Sequence, residues 1–250
     1  MPKILGIIPS RFPSTRLPGK PLLKIGSQTM IQRVYNQAIK CSMLDDVFVA
    51  TDHDGIFDHI IELGGKVVMT SKNHQSGTDR CFEALTKIGN KYDYVINIQG
   101  DEPFIFPEQI ELLANLLDGN TELATLIKKI DDFKDLTNIN TPKVVFNKKF
   151  EAMYFSRQTI PYIRDENVSN WLSTNMFYKH IGIYGYRTDI LEKITKLAQS
   201  DLELAEKLEQ NRWIENGYKI KVAISPYDSI GIDTNEDIEA ARMKISKNIG

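Results

Sequence analysis

Along this chain, short apolar runs of strand length alternate with stretches in which apolar residues recur every three or four positions. Residues 4–8 read as a buried strand cut off by Pro9, after which Met30, Ile31, Val34, Ala38 and Ile39 fall at helical spacing. Residues 47–50 predict the next strand, Ile56, Ile60 and Leu63 a helix stopped by Gly64 and Gly65, and residues 66–69 a third strand. A helix over 79–88, a strand over 94–98, a helical pattern over 104–117 and a fifth strand over 123–127 continue the series. Strands and helices alternating at this spacing predict parallel βαβ units in a doubly wound, mostly parallel sheet of the α/β class. Ligands of such sheets sit beyond the carboxyl ends of the strands.

The rhythm breaks in the second half. Residues 143–149 and 152–155 predict a hairpin, and with it a smaller α+β insertion over about 143–215. Residues 179–187 alternate with period two and read as a strand that puts His180 and Tyr184 on one face. Leu202, Ala205, Leu208 and Glu209 predict one acid-rich helix, residues 219–223 a late strand, and Thr234 the cap of a final helix. No repeat, low-complexity tract or long linker divides the chain, so residues 1–250 read as one domain carrying that insertion.

Composition narrows the classes. A formal net charge of −2 leaves no basic excess for non-specific nucleic-acid binding. Cys41 and Cys81 have neither metal spacing nor a disulfide framework and read as reduced thiols. The first apolar run is too short for an export signal, and no segment reaches the roughly 20 apolar residues of a membrane span. A soluble cytoplasmic protein is expected.

The candidate chemistry falls where the sheet would place it. Behind the first strand lies a loop with Arg11, Arg16, Lys20, two hydroxyls and a glycine, held by Pro9, Pro13, Pro18 and Pro21. Cationic forks and free backbone N–H groups in a rigid loop suit a polyphosphate, although the loop matches neither a GxxxxGK[ST] nor a GxGxxG pattern. The stretch from Ser71 to Arg80 leads into a helix; it is either a plain N-cap or a set of donors for a nucleobase edge. Gln99, Gly100, Asp101 and Glu102 follow a buried strand, where an aspartate is placed either for a solvated turn or for a hard cation bound through oxygen. Arg157 reads as a surface arginine or a carboxylate clamp, and Asp233 as a turn residue or a second metal carboxylate.

Taken in order, IIPSRFPSTRLPGKPL, ATDHD, HQSGTDR, NIQGDEP, YFSRQTIP, HIGIYGYR, LEQNR and GIDTNEDIEAAR resemble the 3-deoxy-manno-octulosonate (Kdo) cytidylyltransferases over nearly the whole chain. The resemblance implies a nucleotide-diphospho-sugar transferase-like fold with an insertion serving sugar binding and dimerisation. It implies the reaction of CTP with Kdo to give CMP-Kdo and pyrophosphate, with Mg2+, for lipopolysaccharide synthesis. By the same resemblance, Arg11, Arg16 and Lys20 hold the triphosphate and Ser76 and Arg80 help read cytosine. Asp101 and Asp233 ligate the metal, and Gln99, Arg157, His180, Tyr184, Glu209 and Gln210 meet the sugar acid. Arg11, Lys20, Asp101 and Asp233 form its catalytic set. A homodimer in contact near 143–160 is expected, with no nucleic-acid partner and no membrane insertion. Asn235 stands where the family has proline, and residues 165–178 match weakly. The rival readings are activation of another sugar acid, such as a sialic acid, a UTP- or GTP-dependent transfer to a sugar 1-phosphate, and a catalytically silent nucleotide-binding regulator.

Overall fold

Alternation along the first strand decides the layering. In β1 (Ile4–Ser10), Ile4 and Ile8 face one side of the sheet, Leu5 and Ile7 the other, and all four are buried. A strand apolar on both faces belongs at the centre of a sheet covered by helices on each side. The computed structural model describes residues 1–12, 17–89, 91–174, 176–228 and 231–247, with side chains through 245.

After β1 come a small hairpin, β2 (Lys24–Ile25) and β3 (Gln28–Thr29), and α1 (Met30–Ala38). The classical units follow as β4 (Asp46–Thr51), α2 (Asp54–Glu62), β5 (Val67–Met69), α3 (Gly77–Ile88), β6 (Tyr94–Asn97), α4 (Pro107–Ala114) and β7 (Leu123–Lys129). The remainder comprises α5 (Phe133–Thr137), β8 (Lys143–Phe146), β9 (Ala152–Ser156), β10 (Tyr178–Arg187), α6 (Thr188–Ile194), α7 (Asp201–Glu206), α8 (Glu209–Glu215), β11 (Ile220–Ile224) and α9 (Asn235–Lys247). The main path of the sheet runs β11-β7-β10-β6-β1-β4-β5. β10 alone on this path runs antiparallel to its neighbours. It lies within the span 143–215 and yet sits between β6 and β7, while β8 and β9 pair as the expected hairpin beside it.

Helix starts follow local chemistry. Thr29 caps α1 by accepting from Gln32 N at 3.2 Å, and the Gln32 side chain accepts from Thr29 N in return. Pro107 opens α4, so the helical pattern over 104–117 becomes a helix of residues 107–114. The acid-rich helix expected around Leu202 to Glu209 is two helices. Lys207, at φ 53°, ends α7 in a left-handed turn, and α8 starts at Glu209 on a new axis.

Because β1, β4, β5 and β6 are parallel, Ser10, Asp52, Thr70 and Gln99 lie at one edge of the sheet. The antiparallel β10 brings its amino-terminal half, with His180, to that same edge.

Candidate active site

At that edge lies a cleft of about 400 Å3, lined by residues of five separate stretches: Ser10 and Arg11, Lys20, Ser76 and Arg80, Gln99 and Asp101, and Asp233. Gly100 makes the convergence possible. A Cβ there would stand 2.8 Å from the Pro9 carbonyl oxygen, so only glycine lets the loop after β6 lie against the end of β1.

Lys20 sits in a short 3-10 turn (Lys20–Leu22) behind Gly19, whose φ of 67° turns the chain back toward the sheet. Its ammonium donates to Asp101 Oδ2 at 2.7 Å, the Ile232 carbonyl at 2.7 Å and Asp233 Oδ1 at 3.1 Å. The two carboxylates, 132 positions apart by number (101 and 233), therefore meet on one cation. Both remain partly open to solvent, whereas Lys20 is largely covered. Three oxygens around one positive charge are hard donors of the kind magnesium takes, completing its shell with water and phosphate oxygens. Among the described residues no cluster of three or more His, Cys, Asp or Glu offers a metal cage.

Asp233 is held from behind. Asp237 accepts from the main-chain N–H groups of Asp233 and Thr234, each at 2.9 Å, while Thr234 Oγ1 caps α9 by accepting from Asp237 N. Proline is not needed at position 235 for this helix to start.

On the far wall, Ser76 caps α3 by accepting from Asp79 N, which leaves the amino-terminal end of that helix at the cleft. Arg80, one turn in, is buried, and donates to Thr70 Oγ1 at 2.6 Å and Asp52 Oδ2 at 2.8 Å. Arg11 stands exposed at the mouth, next to Phe12, whose ring stacks on His53 with centroids 3.8 Å apart. Arg16 lies outside the described residues.

The residues expected at the sugar divide into two groups. Gln99 lines the main cleft and donates from Nε2 to the Gly182 carbonyl at 2.7 Å, tying the loop after β6 to β10. Glu209 lines an adjoining cavity of about 240 Å3 that shares Gln75 and Ser76 with the cleft. It accepts from Thr78 Oγ1 and from Arg212, each at 2.8 Å. Burial pushes its carboxyl up, against the pull of Thr78 and Arg212.

His180, Tyr184 and Gln210 line neither cavity. The His180 and Tyr184 rings lie 5.1 Å apart on one face of β10, and Tyr184 stands edge-on to Trp213 of α8. Burial lowers the His180 imidazole to about 3 and raises the Tyr184 phenol well above its ordinary value. The Tyr184 hydroxyl is buried without a hydrogen-bond partner among the described residues. Gln210 is buried at the start of α8.

Arg157, expected at the sugar acid, lines neither cavity. Its guanidinium donates to three main-chain carbonyls, those of Glu206 at 2.6 Å, Ile139 at 3.0 Å and Lys207 at 3.4 Å. Lys143, fully buried, donates to the carbonyls of Asn138, Thr141 and Arg157, each at 2.8 Å. The two cations thus bind the α5–β8 connection, β9 and the α7–α8 corner together, and Arg157 positions the wall of the site.

The sequence singled out neither Ser10 nor Asp52, and named His74 and Gln75 only as part of the loop before α3. Asp52 is the anchor of Arg80, and its placement at the end of β4, on the edge that carries every other motif, was the available signal. His74 is held by Glu83, which also binds Lys87 and the Ser71 N–H; those bonds outweigh burial and take the Glu83 carboxyl down to about 2.

Comparison with known proteins joins this geometry to a family. Residues 5–220 match the family model described as cytidylyltransferase. A 3-deoxy-manno-octulosonate cytidylyltransferase of Parabacteroides distasonis is 57% identical over 96% of this chain and 97% of its own length. One from Bacteroides thetaiotaomicron is 55% identical over 96% of each. The fold superimposes with a TM-score of 0.91 on a structure of CMP:2-keto-3-deoxy-manno-octonic acid synthetase complexed with CTP, 38% identical and covering 98% of this chain and 99% of that one. A 4-diphosphocytidyl-2C-methyl-D-erythritol synthase from Anaerococcus prevotii, 16% identical with a TM-score of 0.65, shares the fold alone. By family model, relatives and structure, this chain belongs to the 3-deoxy-manno-octulosonate cytidylyltransferase family.

Proposed function

We infer that this chain transfers the cytidylyl group of CTP to Kdo, forming CMP-Kdo and pyrophosphate and so activating the sugar acid for lipopolysaccharide synthesis. The observation that carries this reading is the meeting of Lys20, Asp101 and Asp233 in a cleft whose opposite wall is the capped amino-terminal end of α3. A sugar hydroxyl gives its proton to solvent as its oxygen bonds to the α-phosphorus, the bond from that phosphorus to the bridging oxygen of pyrophosphate breaks, and charge grows on the leaving oxygens. Arg11 and Lys20 supply positive charge where it grows, in a preorganised loop. Ser76, Arg80 and the start of α3 receive the base, with Arg80 fixed by Asp52 and Thr70.

Asp101 and Asp233 would hold magnesium, and Lys20 is then free to turn from the carboxylates to phosphate. Bound there, the ion neutralises triphosphate charge and orients the phosphates. The sugar acid enters between Gln99 and Glu209 and, by the family resemblance, reaches the His180 and Tyr184 face. The unpaired Tyr184 hydroxyl and the neutral His180 ring suit a ligand rich in hydroxyls.

The finer setting is also proposed. Phe150 and Met153 of the β8–β9 hairpin are exposed, which supports a homodimer formed over this hairpin. The two buried free thiols and the cytosolic nature of both substrates support a cytoplasmic enzyme; no helix among the described residues is long and apolar enough to cross a membrane.

The test is pyrophosphate release with each of the four nucleoside triphosphates against Kdo, N-acetylneuraminate and a sugar 1-phosphate, with and without Mg2+. Turnover confined to CTP, Kdo and magnesium is expected. Comparable rates with UTP and a sugar 1-phosphate, or with N-acetylneuraminate in place of Kdo, would overturn the assignment.

A further inference from the structure

Thr125, buried in the middle of β7, faces the irregularity in β10 where the register shifts between Ile181 and Tyr184. Its hydroxyl lies 2.7 Å from the Ile183 carbonyl oxygen, 3.1 Å from that of Ile181 and 3.0 Å from His180 Nε2. A hydroxyl has one proton to give, and a carbonyl has none. The proton therefore goes to the carbonyl pair, and Oγ1 meets the imidazole with a lone pair. Nε2 must carry the hydrogen, which leaves the lone pair of a neutral ring on Nδ1.

We propose that Thr125 is a positioning residue that fixes His180 in the Nε2–H form, so that Nδ1 accepts a hydrogen bond from a hydroxyl of the sugar acid. The proposal rests on the sugar-site reading given above. Nothing in the surroundings favours the charged ring: its aromatic neighbours are Phe155, edge-on at 5.1 Å, and Tyr184, and burial keeps the imidazole neutral. Nδ1 has no hydrogen-bond partner among the described residues. A neutral acceptor pairs with a hydroxyl and gives nothing to a carboxylate, so this end of the site selects the polyol part of the substrate. With the opposite tautomer the same nitrogen would be a donor and the preference would be lost.

The experiment combines imidazole 15N spectra of labelled full-length protein with kinetics of Thr125→Val, Thr125→Ser and His180→Ala. The wild-type His180 is expected to show a protonated Nε2 and a lone-pair Nδ1. Thr125→Val should mix the tautomers and raise KM for Kdo about 3- to 10-fold, the worth of one hydrogen bond, with KM for CTP unchanged. Thr125→Ser should restore both the spectrum and KM. A wild-type ring protonated at Nδ1, or a folded Thr125→Val with wild-type spectrum and KM, would overturn the proposal. His180→Ala tests the parent reading separately: an unchanged KM for Kdo in that variant would remove His180 from the sugar site whatever its tautomer. Should Thr125→Val fail to fold, the wild-type spectrum alone still decides the tautomer.

Discussion

The ammonium of Lys20 is the residue on which the site turns, because it satisfies two carboxylates that would otherwise repel each other at close range. Replacing Asp101 by Asn keeps the shape and removes one charge. Pyrophosphate release in Asp101→Asn is expected to fall at least about a hundredfold, as for loss of a group that stabilises transition-state charge, while the thermal unfolding curve stays close to wild type. His180 makes a second prediction through pH. Its folded value of about 3 lies below the ordinary histidine value of 6.5. The unfolded chain therefore binds more protons between those values, and stability is lost as pH falls through that window. Between about pH 6.5 and 5, above the carboxylate range, His180→Asn should unfold with a flatter pH dependence than wild type in urea titrations. At this scale the sequence singled out candidate residues but not their partners. Arg157 read as a surface arginine or a clamp, and only the return of the α7–α8 corner shows its guanidinium donating to the carbonyls of Glu206 and Lys207.

Elements were legible wherever period and punctuation agreed. β1, β4 and β6 are continuous apolar runs because both their faces are covered, and α3 begins at a serine that caps it. Agreement failed at the acid-rich stretch, where apolar spacing alone could not show that Lys207 leaves the helical region. A left-handed lysine is strained where glycine would not be. Lys207→Gly is expected to stabilise the fold by about 0.5–1 kcal/mol, read as a higher midpoint in urea with an unchanged slope. The Lys207 carbonyl that receives Arg157 should stay in place, so a lower midpoint would show that the side chain of Lys207 contributes more than its backbone costs.

At the scale of the whole molecule, one antiparallel strand decides the site. β10 brings His180 to the edge where β1, β4 and β6 end, so the proposed nucleotide cleft and the proposed face for the sugar acid lie at one edge of the sheet. The hairpin β8–β9 hangs off the same strand and leaves the Phe150 and Met153 side chains exposed. If the proposed homodimer forms over this hairpin, Met153→Asp should convert it to monomer in sedimentation velocity at micromolar concentration, because a charge there opposes burial of the apolar patch. A wild-type chain that sediments as a monomer would place the interface reading in error.

What the sequence determined by itself was the set of ingredients: the strand and helix periods, the loops at the strand ends, and the family these loops resemble. Those signals are local, each confined to one continuous stretch, and local spacing fixes element type and the side chains each loop offers. Only the tertiary structure decided that Asp101 and Asp233 share one ammonium, that Asp52 holds Arg80, and that Thr125 faces His180. These pairings join positions far apart along the chain, and they exist because the order and direction of strands in the sheet, including the reversed β10, bring distant strand ends to one edge.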